Sequence, residues 1–206
     1  MTKIKICGLR RQEDVTYVNE CLPDYAGFVF AKSRRQVTKE QVRELKKNLH
    51  PAITAVGVFV NEPAANVAEL LNEEVIQIAQ LHGDEDEVYI QELRTRMQRG
   101  KLMKAIRVTK RQDITQAEML PVDYLLYDAF SGNEYGGTGK VFDWSLLSEV
   151  ERPYFLAGGI NIDNVEEAVR RWQPYAIDLS SAVETDGWKD REKIIAIVEK
   201  IKKINT

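Results

Sequence analysis

Eight short apolar runs, rich in Val, Ile, Phe and Tyr, alternate with stretches of helical periodicity along this chain. The spacing predicts strands near Lys3–Cys7, Tyr25–Phe30, Ile53–Val60, Val75–Leu81, Leu102–Arg107, Tyr124–Asp128, Tyr154–Ala157 and Tyr175–Ser180. Such alternation implies a parallel sheet, because each helix carries the chain back to where the next strand must start. Eight units of each kind suggest closure rather than an open sheet. Several runs also end in a reactive or ligand-binding residue: Cys7, His82, Asp128, the pair Gly158-Gly159, and Ser180. A chain that places such groups at the C-terminal ends of strands builds one site from many strands. That is the signature of a (β/α)8 TIM barrel, whose active site lies on the C-terminal face. We therefore predict a compact α/β fold with a single domain over residues 1–206.

Length supports one core. The 206 residues are few for this barrel, typically about 250 residues long, so the connections must be tight. A net charge of −3 and a pI near 5.6 draw the whole molecule neither to nucleic acid nor to an anionic membrane. No run approaches the ~18 apolar residues of a membrane span. The first residues enter a strand pattern at once, so no signal peptide is expected and the protein is read as cytoplasmic. Cys7 should end the first strand and Cys21 the helix that runs back down. About ten helical residues at ~1.5 Å each separate them by roughly 15 Å, against the 7 Å or so that a disulfide tolerates. Two free thiols follow.

Helix boundaries are written in the capping residues. Gln12–Cys21 carries Val15 and Val18 on one face, and Thr38–Leu49 carries Val42, Leu45 and Leu49. Thr38 with Gln41 forms a capping box. Pro63 belongs to the first turn of the third helix, and a helix over Asp86–Gln98 stops before Gly100. A fifth helix near Asp113–Leu120 is the least periodic. Asp143, Asn161 or Asp163, and Asp190 are N-cap candidates for later helices.

The chemistry-bearing residues fall into three groups. Cys7, followed by the turn-forming Gly8, could be a small apolar filler, but at the active end of a barrel strand it is a candidate base or nucleophile. Asp128 ends the apolar run Tyr124-Leu125-Leu126-Tyr127 and must find hydrogen bonds or hold a proton. The long segment after it, Ala129–Lys140, holds Gly132, Gly136, Gly137 and Gly139, as a lid would. Within it, Gly136-Gly137-Thr138-Gly139-Lys140 fails as a phosphate-binding P-loop because Val141 follows the lysine. Gly158-Gly159 before a helix over Asn161–Arg171, and Ser180-Ser181 after the eighth strand, offer amides and hydroxyls. These loops form a recurrent phosphate site in this barrel. Lys32-Ser33-Arg34-Arg35 follows the second strand, and a guanidinium there can grip a carboxylate bidentately. Strand alternation points Gln80 and His82 to one side, and Asp178 and Ser180 likewise to one face. His50 precedes the third strand, on the opposite end, and reads as structural. Two histidines in the whole chain and no clustered ligands argue against a metal centre.

In order and spacing, these residues resemble the phosphoribosylanthranilate isomerase family of tryptophan biosynthesis. The resemblance is carried by Lys5-Ile6-Cys7-Gly8, Gly27-Phe28-Val29-Phe30, Ser33-Arg34-Arg35, Gly57-Val58-Phe59-Val60-Asn61 and Gln80-Leu81-His82-Gly83. It continues through Asp128, Gly136-Gly137-Thr138-Gly139, Phe142-Asp143-Trp144, Gly158-Gly159-Ile160 and Asp178-Leu179-Ser180-Ser181. It spans essentially the whole chain and departs at Arg34, where many family members carry proline; Arg35 stands in the family's position. The resemblance implies a cofactor-free Amadori rearrangement of N-(5-phosphoribosyl)anthranilate. Asp128 would be the general acid that opens the ring and Cys7 the thiolate base that takes the C2′ proton. Arg35 would hold the anthranilate carboxylate, and Gly158, Gly159, Ser180 and Ser181 the phosphate. Gln80, His82 and Asp178 would line the site, with Gly137 in a lid that excludes water. The implied partner is the small phosphoribosyl substrate, on a monomer or homodimer. A phosphoribosyl-binding module without turnover would share the phosphate loops, and Cys7 with Asp128 is what sets an enzyme apart from it.

Overall fold

The computed structural model describes residues 1–129, 143–148 and 150–205. Eight parallel strands close a barrel in chain order. They are β1 (Lys3–Cys7), β2 (Tyr25–Val29), β3 (Thr54–Phe59), β4 (Ile78–Leu81), β5 (Lys101–Val108), β6 (Tyr124–Ala129), β7 (Tyr154–Leu156) and β8 (Ala176–Leu179). Closure is made by β8 against β1, with Lys5 opposite Asp178. The described α-helices are α1 (Gln12–Cys21), α2 (Lys39–Lys47), α3 (Ala64–Asn72), α4 (Glu87–Arg96), α5 (Arg111–Glu118), α6 (Val165–Trp172) and α7 (Arg191–Ile204).

Local chemistry accounts for most boundaries. Thr38 Oγ1 accepts from the Gln41 amide at 3.2 Å while Gln41 Oε1 accepts from the Thr38 amide at 2.8 Å, closing the capping box of α2. Asp86 and Asp190 accept from the amides of Tyr89 and Lys193 and so start α4 and α7. Three expectations are corrected. Between β6 and β7 the described residues hold only a 3-10 turn, Trp144–Leu147, capped by Asp143, so seven α-helices rather than eight are seen among the described residues. Second, α6 begins at Val165, not Asn161. Asn161 Oδ1 accepts from the Asp163 and Asn164 amides, and Asn164 Oδ1 accepts from the Asn161 amide, holding these residues in a polar turn. Third, β8 leads into an unforeseen two-stranded hairpin, β9 (Glu184–Thr185) and β10 (Trp188–Lys189), paired antiparallel.

Two apolar clusters result from strand alternation. Outward residues such as Ile6, Phe28, Leu81 and Leu125 meet the helices. Inward residues Tyr25, Val56, Ile78, Met103, Leu126 and Phe155 fill the barrel itself. Burying each such side chain contributes about 1.5–3 kcal/mol. At the N-terminal mouth the interior is plugged by aromatic rings. Tyr25 meets Phe155 edge-on at 5.2 Å, and Tyr124 stacks on Tyr175 at 5.7 Å. Towards the C-terminal mouth the same strand faces turn polar: Ile78 gives way to Gln80 and His82, Leu126 to Asp128, Ala176 to Asp178 and Ser180. One end of the barrel is therefore dry and closed, and the other carries the chemistry. Both cysteines are free and buried, Cys7 at the end of β1 and Cys21 at the end of α1. No helix among the described residues is long and apolar enough to cross a membrane.

Candidate active site

A single pocket at the C-terminal mouth gathers residues from distant parts of the chain. Cys7 arrives on β1, Arg35 after β2, Gln80 on β4 with His82 directly after it, and Asp128 on β6. Gly158 and Gly159 arrive after β7, and Asp178, Ser180 and Ser181 on and after β8. Gly137 and the glycine-rich stretch around it lie outside the described residues. His50 stands apart, exposed in the turn before β3, where its Nδ1 accepts from the Ala52 amide. Among the described residues no cluster of His, Cys, Asp or Glu could hold a metal ion.

Two glycines give Cys7 and Arg35 their room. Gly27 lies opposite Cys7 in the β1–β2 register, and a Cβ there would stand 2.6 Å from the Cys7 sulfur. Gly8 has φ +92° and would place a Cβ 2.6 Å from Cδ of Arg35, so its bare backbone lets the arginine stem pass. The thiol is 8% exposed as a residue, and burial pushes it above its ordinary value, with the Lys5 ammonium working against that rise. Lys5 Nζ is fully buried and sits 2.9 Å from Asp178 Oδ2. Ser180 Oγ donates to the Cys7 carbonyl at 3.2 Å, joining the end of β8 to the end of β1.

Across the pocket a polar chain leads to Asp128. The Gln80 side-chain nitrogen lies 3.0 Å from His82 Nδ1, and His82 Nε2 lies 3.3 Å from Asp128 Oδ2. With the Gln80 amide donating to Nδ1, the imidazole proton sits on Nε2, a buried atom that approaches the Asp128 side chain without a hydrogen bond. Behind His82, buried Lys104 donates to the Gly83 carbonyl and to Glu85, at 2.8 and 2.9 Å, fixing the turn that carries the histidine. At the third corner Gly158 and Gly159 both take left-handed φ, +80° and +69°, a conformation that other residues rarely adopt. Asn164 Nδ2 donates to the Gly159 carbonyl at 2.9 Å and holds that turn against the start of α6.

Sequence reasoning missed Glu184, Lys189 and Lys5. Glu184, on β9, accepts from Arg35 Nε and Nη2 at 2.7 and 2.8 Å, from Arg34 Nη2 at 2.9 Å and from Lys189 Nζ at 2.9 Å. Lys189 also donates to the Ser180 carbonyl at 2.9 Å. The fork of Arg35 thus already grips a carboxylate of its own chain, which leaves Nη1 and the outer Nη2 hydrogen for a ligand. Arg34, the departure from the family pattern, adds a second guanidinium to the same acid. The signal for Lys5 was present, two residues before Cys7 on an alternating strand. Glu184 and Lys189 had none, because two-residue strands leave no periodicity.

Burial raises the Glu184 carboxyl, but the Arg35 hydrogen bonds and the Lys189 charge more than reverse this and hold it at about 2. A carboxyl depressed on folding stabilises the native state above its unfolded pKa, near 4.5, and ceases to do so as pH falls through about 2. Glu184→Gln is therefore expected to cost roughly 3 kcal/mol at pH 7. The difference in melting temperature from wild type should shrink steadily from pH 5 towards pH 2. A pH-independent difference would show that the ion pairs do not carry the effect.

Comparison with known proteins agrees with this arrangement. Residues 4–200 match the family model for N-(5'phosphoribosyl)anthranilate (PRA) isomerase. The chain is 48% identical to the N-(5'-phosphoribosyl)anthranilate isomerase of Endomicrobium trichonymphae, over 97% of this chain and 98% of that one. Phosphoribosyl anthranilate isomerase from Thermotoga maritima superposes with a TM-score of 0.88 at 33% identity, covering 98% of this chain and all of that one. A further isomerase structure, in complex with reduced 1-(o-carboxyphenylamino)-1-deoxyribulose 5-phosphate, superposes with a TM-score of 0.85 at 31% identity, over 98% of this chain and 100% of that one. A barrel with this strand order, this pocket and this degree of likeness from end to end belongs to the N-(5'-phosphoribosyl)anthranilate isomerase family.

Proposed function

We propose that this protein converts N-(5-phosphoribosyl)anthranilate into 1-(2-carboxyphenylamino)-1-deoxyribulose 5-phosphate in tryptophan biosynthesis, with Asp128 as general acid and Cys7 as general base. The observation that carries this reading is the convergence of a carboxyl and a thiol from β6 and β1 on one pocket. An arginine and a glycine–serine loop pair stand at its rim. A substrate with a carboxylate at one end and a phosphate at the other fits that polarity. Asp128 gives its proton to the furanose ring oxygen, the C1′–O bond breaks, and the nitrogen lone pair forms the Schiff base. Cys7 removes the C2′ proton, the C2′–H electrons form the C1′–C2′ double bond, and the imine electrons return to nitrogen. The enolamine then takes a proton at C1′ and loses its hydroxyl proton to become the ketone. C2′ is oxidised as C1′ is reduced, so the rearrangement is internally balanced and consumes no external redox partner.

Roles for the remaining residues follow from position. Arg35 offers its outer edge to the anthranilate carboxylate, and Gly158, Gly159, Ser180 and Ser181 surround the phosphate. Gln80, His82 and Asp178 lie along the sugar, and exclusion of water protects the Schiff base from hydrolysis. The decisive experiment generates the substrate in place from anthranilate and phosphoribosyl pyrophosphate and follows its fluorescence as the protein is added. Accelerated decay with the ketose identified as product is the expected result. Folded protein that leaves the decay unchanged would overturn the reading.

A further inference from the structure

We propose that Lys5 is the positioning residue that sets whether Cys7 is a thiol or a thiolate, and that Asp178 competes with Cys7 for its charge. Lys5 and Cys7 are two residues apart on β1 and both face into the barrel; Asp178 stands opposite Lys5 on β8. Lys5 is wholly buried, and its ammonium lies 2.9 Å from Asp178 Oδ2. A buried cluster is stable only near charge balance, because each unmatched charge bears the full cost of leaving water. One ammonium can neutralise one anion. While Asp178 holds it, the cluster is neutral with Cys7 protonated.

Other charges facing Cys7 do not replace Lys5. Lys189 reaches from β10 and Arg35 from the loop after β2; both are bound to Glu184, and the pull of Lys189 on the Cys7 thiol is weaker than that of Lys5. The directions of titration agree: the Lys5 ammonium is held above its ordinary value despite burial, with Asp178 and Cys7 both favouring it, while the Cys7 thiol is also raised. Asp178 supplies the means of release. Its Oδ1 is buried and has no hydrogen-bond partner, although the residue lines the pocket. A ligand hydroxyl or amine N–H that displaces its neighbours to donate to the Asp178 carboxylate takes up part of its charge, and the freed share of the ammonium's field falls on Cys7. The thiol proton leaves to solvent through the open mouth as the ligand enters, before water is excluded, so binding favours the thiolate.

The catalytic consequence rests on Cys7 being the base, but the charge relation can be read without turnover. Full-length protein is treated with iodoacetamide across pH 6–10 and the Cys7-bearing peptide is followed by mass spectrometry. Cys21, whose thiol is pushed up to about 11 by burial, serves as the unreactive internal reference. Asp178→Asn keeps the shape and removes the competing charge, so the midpoint for Cys7 alkylation should fall by about one to three pH units. Lys5→Met should push it beyond the upper end of the scan, so that Cys7 stays unalkylated up to pH 10. A purely structural role would alter accessibility, and hence rate, without moving the two midpoints in opposite directions. An Asp178→Asn midpoint that is unchanged or raised overturns the proposal, and this variant decides the matter if Lys5→Met does not fold. Full turnover in Cys7→Ser would overturn the catalytic reading and leave the alkylation shifts standing. Unmoved midpoints beside an inactive Cys7→Ser would overturn the Lys5 assignment alone.

Discussion

Replacing Cys7 by serine is expected to lower kcat by about two to four orders of magnitude, the range that a positioned general base contributes, with KM little changed. Serine is close in size, and Gly27 leaves the same space beside it, so the pocket should keep its shape. What is lost is acidity. A thiol can be ionised at neutral pH by a favourable neighbour, whereas an aliphatic hydroxyl stays protonated. The ammonium of Lys5 would then face a group that cannot release its proton. Binding of a reduced product analogue, followed by calorimetry, should remain within a few-fold of wild type, because serine is close to the thiol in size and leaves the ligand-holding residues in place. Near-wild-type turnover would sink the assignment of Cys7 as the base. Lost binding together with lost turnover would mean that the residue shapes the pocket instead.

Asp128→Asn carries the second large effect, a drop of about two to four orders of magnitude in kcat. The amide is isosteric and can still meet His82, which lies 3.3 Å from Oδ2. It can donate a hydrogen bond to the ring oxygen, but it cannot transfer a proton to it. Ring opening precedes proton abstraction, so the variant should also fail to exchange the C2′ hydrogen with heavy water, although its thiol is intact. Wash-in of deuterium at C2′ by a variant without net turnover would place Asp128 after ring opening and overturn its role as the acid. In Gln80→Leu the Nδ1 partner of His82 is removed. A smaller fall in kcat is expected there, because the ring loses its fixed tautomer but the acid remains.

The alternation of apolar runs and helical patterns, read alone, identified eight strands, and the residue ending each run pointed to the mouth of the barrel. Strand geometry makes this possible, since side chains two apart share a face. Lys5 with Cys7, Gln80 with His82, and Asp178 with Ser180 can therefore be placed without coordinates. Helix caps at Thr38 and Asp190, and the start of the helix at Asp86, were legible for the same local reason. Their partners lie three residues away.

What stayed hidden depended on contacts distant in sequence or on competition between local patterns. The start of α6 moved to Val165 because Asn161 and Asn164 satisfy each other before a helix can recruit them. Glu184 meets Arg34 and Arg35 across about 150 residues of chain, and Asp178 meets Lys5 across 173. Sequence by itself determined which residue types reach the C-terminal mouth, because strand period and helix return are local properties. Only closure of the barrel decided which charges pair there. It brings β8 beside β1 and folds the β9–β10 hairpin over Arg35, so that an arginine expected to await a ligand is already held by Glu184 and a thiol expected to stand alone has a lysine beside it.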